Sequence, residues 1–289
     1  MDYSNEKMPK VSVICTTYNQ EKYIANCLNG FLIQKTNFPF EVIVHDDCST
    51  DGTLDIVLSY EKKYPDLFIV VTEEENQYSR NADFDEILMP YVRGRYIALC
   101  EGDDFWCDEQ KLQRQYDFME SHPKCSLVCH NTIINDLGGK NPLILFNNWR
   151  DIHELTEDDV FIGWNVHTSS YFFRKEYYLV RNEFFQWCRY FGDYIRLCNA
   201  KDKGNVYCLP EPMSVYNFNN KDGVTKLYNS DIIKKLGQIE FRIQFLKKFD
   251  ELTDHRHSAV ILKRLKMQTE DLQVLQKKVM ELYGIDRQP

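Results

Sequence analysis

The sequence predicts an α/β protein built on a mostly parallel sheet with helices on both faces. Three observations predict it. Short β-branched runs recur through the first third of the chain, helical patterns separate them, and each run ends in a polar loop. Repeated strand-helix-strand units place ligands beyond the carboxyl ends of the strands.

Residues 11–15 form the first run, and Tyr23, Ile24, Cys27, Leu28 and Phe31 follow at helical spacing. Residues 40–44 are the second strand, Leu54, Val57 and Leu58 mark a second helix, and residues 68–71 are the third strand. A third helix (Phe84, Ile87, Leu88) leads to a fourth strand at 96–100. After Trp106 the pattern loosens, with a helix carrying Leu112, Tyr116 and Met119 and later strands expected at 126–130, 169–173 and 206–209. From Asp231 onward the chain reads as helix, and Ile261, Leu265, Gln268, Leu272, Leu275, Val279 and Leu282 recur at spacings of four and three, a heptad stripe. This divides the chain into a domain at 1–230, in two parts at 9–105 and 106–230, and a helical extension at 231–289.

Composition narrows the function. At 289 residues, 43% of them hydrophobic, the chain buries a sizeable core. A net charge of -9 disfavours nucleic acid as a partner, because affinity for phosphate backbones needs clustered Lys and Arg. Residues 1–10 are polar, and nowhere do 18 apolar residues run together, so neither export nor membrane spanning is expected. The expected location is cytoplasmic, with peripheral contact at the inner face of the membrane left open. The 10 cysteines form no C-x-x-C pair and are expected to be reduced and mostly buried; Cys125, Cys129 and His130 lie in an apolar run and read as core.

The chemistry concentrates in the loops. Glu101-Gly102-Asp103-Asp104 places three carboxylates directly after a buried strand, which is unfavourable unless a cation or solvent offsets the charge. A hard divalent ion, Mn²⁺ or Mg²⁺, takes one or two such carboxylates and fills its remaining positions with water and phosphate oxygens. Asp104 reads equally well as the cap of a following helix. The loop after the second strand, Asp46-Asp47-Cys48-Ser49-Thr50-Asp51-Gly52-Thr53, joins a carboxylate pair, suited to a base N–H or ribose hydroxyls, to a turn that opens a helix. No G-x-G-x-x-G, G-x-x-x-x-G-K-[ST] or G-x-S-x-G occurs, which argues against dinucleotide dehydrogenases, P-loop NTPases and α/β-hydrolases.

Val11-Ser12-Val13-Ile14-Cys15-Thr16-Thr17-Tyr18-Asn19 with Glu21, the 46–53 loop, and Glu101-Gly102-Asp103-Asp104-Phe105-Trp106 resemble three successive signatures of family 2 glycosyltransferases of the GT-A fold. The resemblance covers residues 9–219 and implies that 9–105 is the nucleotide-sugar half and 106–230 the acceptor half. It implies a Rossmann-like sheet and an inverting transfer of a sugar from a nucleotide diphosphate donor, a UDP-hexose or UDP-N-acetylhexosamine, to a glycan or lipid-linked glycan in surface polysaccharide synthesis. By this resemblance Thr16, Tyr18, Glu21 and Asp104 lie around the nucleotide, and Asp46 or Asp47 contacts the base. Glu101 and Asp103 stand at the D-x-D metal motif, with Glu in place of its first Asp.

Inverting transfer also needs a carboxylate base. Phe191-Gly192-Asp193-Tyr194-Ile195, a strand at 206–209 and Pro210-Glu211-Pro212-Met213-Ser214-Val215-Tyr216 resemble the family's segment for it, making Asp193 the expected base; Asn219 stands where relatives often carry His. Trp164, His167, Thr168 and Ser169 are candidates for acceptor contact. Two other readings compete: a sugar-nucleotide pyrophosphorylase, which would show a Gly-rich loop after the first strand, and a non-catalytic scaffold acting through its C-terminal helices. Residues 231–289 hold 12 Lys and Arg against 9 Asp and Glu. Their stripe suits homo-oligomerisation, an anionic membrane surface, or packing on the catalytic domain.

Overall fold

The computed structural model describes residues 8–139, 143–179, 182–218 and 231–283, apart from the side chains of 182, 185–190 and 283. The four expected strands are present as β1 (Val11–Thr17), β2 (Phe40–Asp46), β3 (Phe68–Thr72) and β4 (Tyr96–Leu99). They are parallel and lie in the order β3-β2-β1-β4. The order reverses between β1 and β4, where an open α/β sheet forms its ligand crevice. Alternate residues feed two cores: Val11, Val13 and Cys15 join the one containing α1 (Ile24–Leu32), and Ile14, Ile43 and Ile97 join the other. The links β2–β3 and β3–β4 carry α2 (Thr53–Lys63) and α3 (Phe84–Leu88).

The sheet continues past β4 with mixed directions. β9 (Phe172–Arg174) pairs antiparallel with both β4 and β6 (Cys125–Asp136). β10 (Asn205–Phe218) runs parallel to β6 and antiparallel to the two-residue β5 (Phe105–Trp106). The short β7 (Ile144–Leu145) and β8 (His153–Glu154) pair with β6 and β10. The helices of this half are α4 (Lys111–Ser121), α5 (Glu157–Phe161), α6 (Lys175–Tyr178) and α7 (Phe185–Lys203).

Three expectations change here. Asp104 caps no helix, because the next residues pair as β5 with Ser214 and Val215 of β10. Ser169 lies in a 3₁₀ turn rather than a strand, since Ser170 N–H and its hydroxyl both bond back to the His167 carbonyl. The strand expected at 206–209 continues to Phe218 through Pro210 and Pro212, which shift its register against β6. The described cysteines are free, and Cys125, Cys129 and His130 are buried in β6.

The C-terminal segment is a helical hairpin of α8 (Ile232–Leu252) and α9 (Ser258–Tyr283). Its turn uses the left-handed residues Asp254 and His255 (φ 51° and 59°). The helices run antiparallel, so that Ile232 at the start of α8 shares a surface hollow with Lys278, Glu281 and Leu282 near the end of α9. Phe245, Leu246, Phe249, Val260 and Ile261 are buried in one core with Phe161 of α5 and with Phe191 and Ile195 of α7. The first half of the heptad stripe thus packs within the chain: Ile261 and Gln268 are buried, and Leu265 lies against the same core.

Ion pairs fix the docking. His257 lies between Asp202 and Glu157, Arg256 bonds Asp202, and Lys263 pairs with Asp158. The carboxylate of Asp202 first, against the cost of burial, and then that of Glu157 raise the His257 pKa above 6.5. A histidine raised in the folded state stabilises fully below its unfolded value and loses that contribution as pH rises through the folded value. Wild type should therefore melt above His257→Gln at pH 6 and converge on it as the pH is raised past the shifted pKa. Thermal melts of both proteins across this range check the expectation, and a constant gap at every pH contradicts it.

Candidate active site

The loops after β1, β2 and β4 meet at the switch point. Asp47 N–H donates to the Thr17 carbonyl (3.0 Å) and Gly102 N–H to the Thr16 carbonyl (3.0 Å), so the first loop is bonded to both of the others. Asn19, left-handed at φ 52°, accepts from Thr50 N–H at 2.7 Å and donates its own N–H to the Ser49 hydroxyl at 2.9 Å. Gly102 leaves room for two side chains of the first loop: a Cβ there would lie 2.5 Å from Gln20 Oε1 and 2.8 Å from Thr17 Oγ1.

Within this frame the expected nucleotide residues fall into two groups. Tyr18 is 46% exposed on the first loop and Thr16 is half-buried beside it. Glu21 instead turns to the second loop, where its carboxylate accepts from Gly52 N–H (3.2 Å). Asp47 spends both oxygens on the 76–78 segment, accepting from Gln77 N–H (2.6 Å), Asn76 Nδ2 (2.9 Å) and Tyr78 N–H (3.1 Å). Asp46 is buried; Oδ1 accepts from Ser49 N–H and Oδ2 has no hydrogen-bond partner. Asp51 orders the turn that opens α2, accepting from Thr53 N–H at 3.0 Å.

Glu101, Asp103 and Asp104 bring carboxylate oxygens within 4.8 Å of one another. Glu101 reaches solvent but is walled by protein; that crowding first, then the charges of Asp103 and Asp193, push its carboxyl up to about 8. Asp104 is turned inward rather than toward the crevice. Its Oδ1 accepts from Asn217 N–H (2.9 Å), and its Oδ2 lies 3.7 Å from His167 Nδ1. Burial, followed by the charges of Asp103 and Glu101, raises its pKa well above the usual carboxylate range. Asn217 also donates through Nδ2 to the Asp103 carbonyl (2.6 Å), so one side chain of β10 ties down the acid loop.

Asp193 of α7 lies near enough to Glu101 for its charge to act on that carboxyl. The helix breaks at Phe191 (φ -160°, ψ 49°), so Asp193 stands in the first turn after a kink rather than before a helix. Arg196 holds the kink, donating to the Gly192 carbonyl (3.3 Å) and to Asp85 of α3 (2.7 Å). Arg242 of α8 lies 5.6 Å from the rings of Phe191 and Tyr194, the residues flanking Gly192 and Asp193.

His167, a candidate for acceptor contact, is buried, and burial pushes its pKa down to about 3. It is neutral and bonds the Ser169 hydroxyl (2.9 Å), which continues to Ser214 (2.9 Å) and Thr132 (3.0 Å). Trp164 is 54% exposed on the same side. Asn219 lies outside the described residues. Sequence reasoning missed Asn217; its one signal was its place in a polar-aromatic segment that ends a strand.

A mostly parallel open sheet with an acid cluster at its switch point places this chain among α/β proteins whose ligand crevice lies at the carboxyl ends of the strands. The chain belongs to glycosyl transferase family 2, whose family model matches residues 12–184. An uncharacterised Mycobacterium tuberculosis protein is 36% identical over 167 residues, 57% of this chain and 47% of that one. The putative teichuronic acid biosynthesis glycosyltransferase TuaG of Bacillus subtilis is 38% identical over 113 residues, 38% of this chain and 42% of TuaG. The crystal structure of Staphylococcus aureus TarS 1-349 in complex with UDP shares the fold with a TM-score of 0.53 and 21% identity, covering 84% of this chain and 72% of that chain. The chain spans about half or less of the length of the curated relatives it matches. No described helix is long and apolar enough to cross a membrane.

Asn217→Ala should cost about 1–3 kcal/mol of stability, the scale for stranding a buried acceptor. Urea unfolding measures it; the variant keeps the backbone N–H that Asp104 accepts, so stability equal to wild type would mean that the 103 carbonyl does not depend on the Asn217 side chain.

Proposed function

We propose that the chain is an inverting glycosyltransferase that moves a sugar from a nucleotide diphosphate donor, a UDP-hexose or UDP-N-acetylhexosamine, to a hydroxyl of a glycan or lipid-linked glycan in surface polysaccharide synthesis. The observation that carries this reading is Asp193 lying near Glu101 of the acid cluster at the switch point of the sheet. The name of TuaG supports the polysaccharide class, and the UDP complex of TarS supports the donor class.

The acid cluster fits a divalent cation, Mn²⁺ or Mg²⁺: it offers hard oxygen donors at close range, and the crowding that raises the Glu101 pKa is what a bound cation would relieve. Asp103 and Glu101 would hold it, while Asp104, buried against Asn217, supports the loop. Such an ion, when bound, neutralises charge on a leaving diphosphate. The nucleoside lies over the loops at 16–21 and 46–53, with Asp46 or Asp47 as acceptor for the base. Asp193 takes the proton from the acceptor hydroxyl as its oxygen attacks the anomeric carbon opposite the diphosphate, and the product anomer is inverted. Domain limits of 1–230 and 231–289 are part of the same reading, the second unit bracing the helix that carries Asp193.

Asp103→Ala should abolish metal-dependent UDP binding and leave the circular dichroism spectrum unchanged; calorimetry with UDP and Mn²⁺ showing unaltered affinity would defeat the metal assignment. Asp193→Asn should keep donor binding and lose transfer by roughly 10²-fold or more, the scale for deleting a general base. Near-normal turnover in that variant would rule Asp193 out as the base. A screen of nucleotide sugars for Mn²⁺-dependent stabilisation and hydrolysis identifies the donor and separates an enzyme from a scaffold, which would give neither.

A further inference from the structure

Three aromatic side chains stand together on the acceptor side of the acid cluster. The rings of Phe146 and Trp164 meet edge to face at 4.9 Å and 80°. Trp164 is 6.5 Å from Tyr216 at 81°, and Tyr216 stacks on His167 at 4.1 Å. Phe146 lies 6.5 Å from Tyr216, closing the group. His167 in turn is 3.7 Å from Asp104, so the aromatic group begins where the acid loop ends.

The backbone behind these rings follows one rule. Each aromatic residue is followed by an asparagine whose amide is bonded inward. Asn147, after Phe146, donates through Nδ2 to the Asn165 carbonyl (3.0 Å) and through its N–H to Asn131 Oδ1 (3.2 Å). Asn131 Nδ2 returns a bond to the Asn147 carbonyl at 2.9 Å. Asn165, after Trp164, donates to Asp159 Oδ1 (3.3 Å). Asn217, after Tyr216, holds the Asp103 carbonyl and the Asp104 carboxylate. Trp164 remains 54% exposed between chain segments tied down on both sides, at the edge of an apolar surface that continues through Phe146.

We infer that Phe146, Trp164 and Tyr216 form a preorganised subsite for a pyranose ring of the acceptor. The inference rests on the transferase reading above and names the substrate class of that site. A sugar ring has an apolar C–H face and a polar rim. The exposed face of Trp164 receives the first, and the second stays open to water. Rings held by buried amides lose little freedom on binding, so the contact is efficient. Continuity with the acid cluster through His167 and Asn217 favours the acceptor over an unrelated ligand. Leu143, Ile144 and Leu145, exposed next to Phe146, extend the apolar surface outward, so a lipid surface is the competing occupant.

The test uses the full chain with UDP and Mn²⁺. The probes are methyl β-D-glucopyranoside, methyl N-acetyl-β-D-glucosaminide, and ribitol as an open-chain polyol without a ring face. NMR of the indole N–H signals, with the Trp164 signal assigned by its loss in Trp164→Phe, reads the site. The pyranosides should shift that signal and ribitol should not. Trp164→Ala should weaken pyranoside binding at least tenfold with unchanged UDP affinity, and Trp164→Phe should keep most of it. Equal response to ribitol, no response to either pyranoside, or undiminished binding in Trp164→Ala overturns the inference. A Trp164 response to phosphatidylglycerol vesicles alone overturns it in favour of a membrane-facing surface. If UDP itself fails to bind with Mn²⁺, the transferase reading has failed instead, which keeps the two failures apart.

Discussion

Carboxylate crowding is the constraint on which the rest of the structure depends. Glu101, Asp103 and Asp104 hold their oxygens within 4.8 Å of one another at the end of a buried strand, and such groups repel unless something holds them. Three devices do so. The Gly102 N–H is bonded to the Thr16 carbonyl, the absence of a side chain at 102 allows that approach, and Asn217 secures the loop from β10. Two of them act at Gly102 and the third reaches in from β10, so the loop after β4 is tied to the ends of both β1 and β10. The local repulsion is offset by tertiary structure rather than by the loop itself.

This dependence explains what could and could not be seen in the sequence. The four parallel strands were legible because each is a β-branched run closed by a polar loop, and the three loops that meet at the crevice are those the pattern named. Asp193 was named through the family resemblance, and the kink at Phe191 that precedes it in α7 has no local signal. Asp104 was misleading. An acid ahead of two aromatics reads as a cap, and only pairing with Ser214 and Val215 makes that segment a strand. The prolines at 210 and 212 hid most of β10, because a strand is not expected to survive them. The asparagine after each exposed aromatic was invisible for another reason: residues 147, 165 and 217 are far apart in sequence and meaningful only together.

The C-terminal helices show the limit of periodicity. A heptad stripe states that one face of a helix needs an apolar partner and does not say where that partner lies. Here α8, α5 and α7 take up its first half, through Phe249, Phe161 and the core they share. The side of the core that receives Ile261 also carries Phe191, the point at which α7 bends. The hairpin therefore belongs to the architecture behind Asp193, and the His257 bridge to α5 and α7 anchors it there.

The family match ends at residue 184, whereas Asp193, Asn217 and Arg242 all follow it. A fragment trimmed to that match would retain the three loops that meet at the crevice and discard the strand that pins them, the helix that carries Asp193 and the braces behind that helix. The segments after residue 184 are tied to the earlier ones by contacts such as that from Asn217 to the Asp103 carbonyl. Chimeras that join this chain to relatives should respect the Asn217–Asp103 contact as the seam, and exchange the two halves on either side of it only as matched partners.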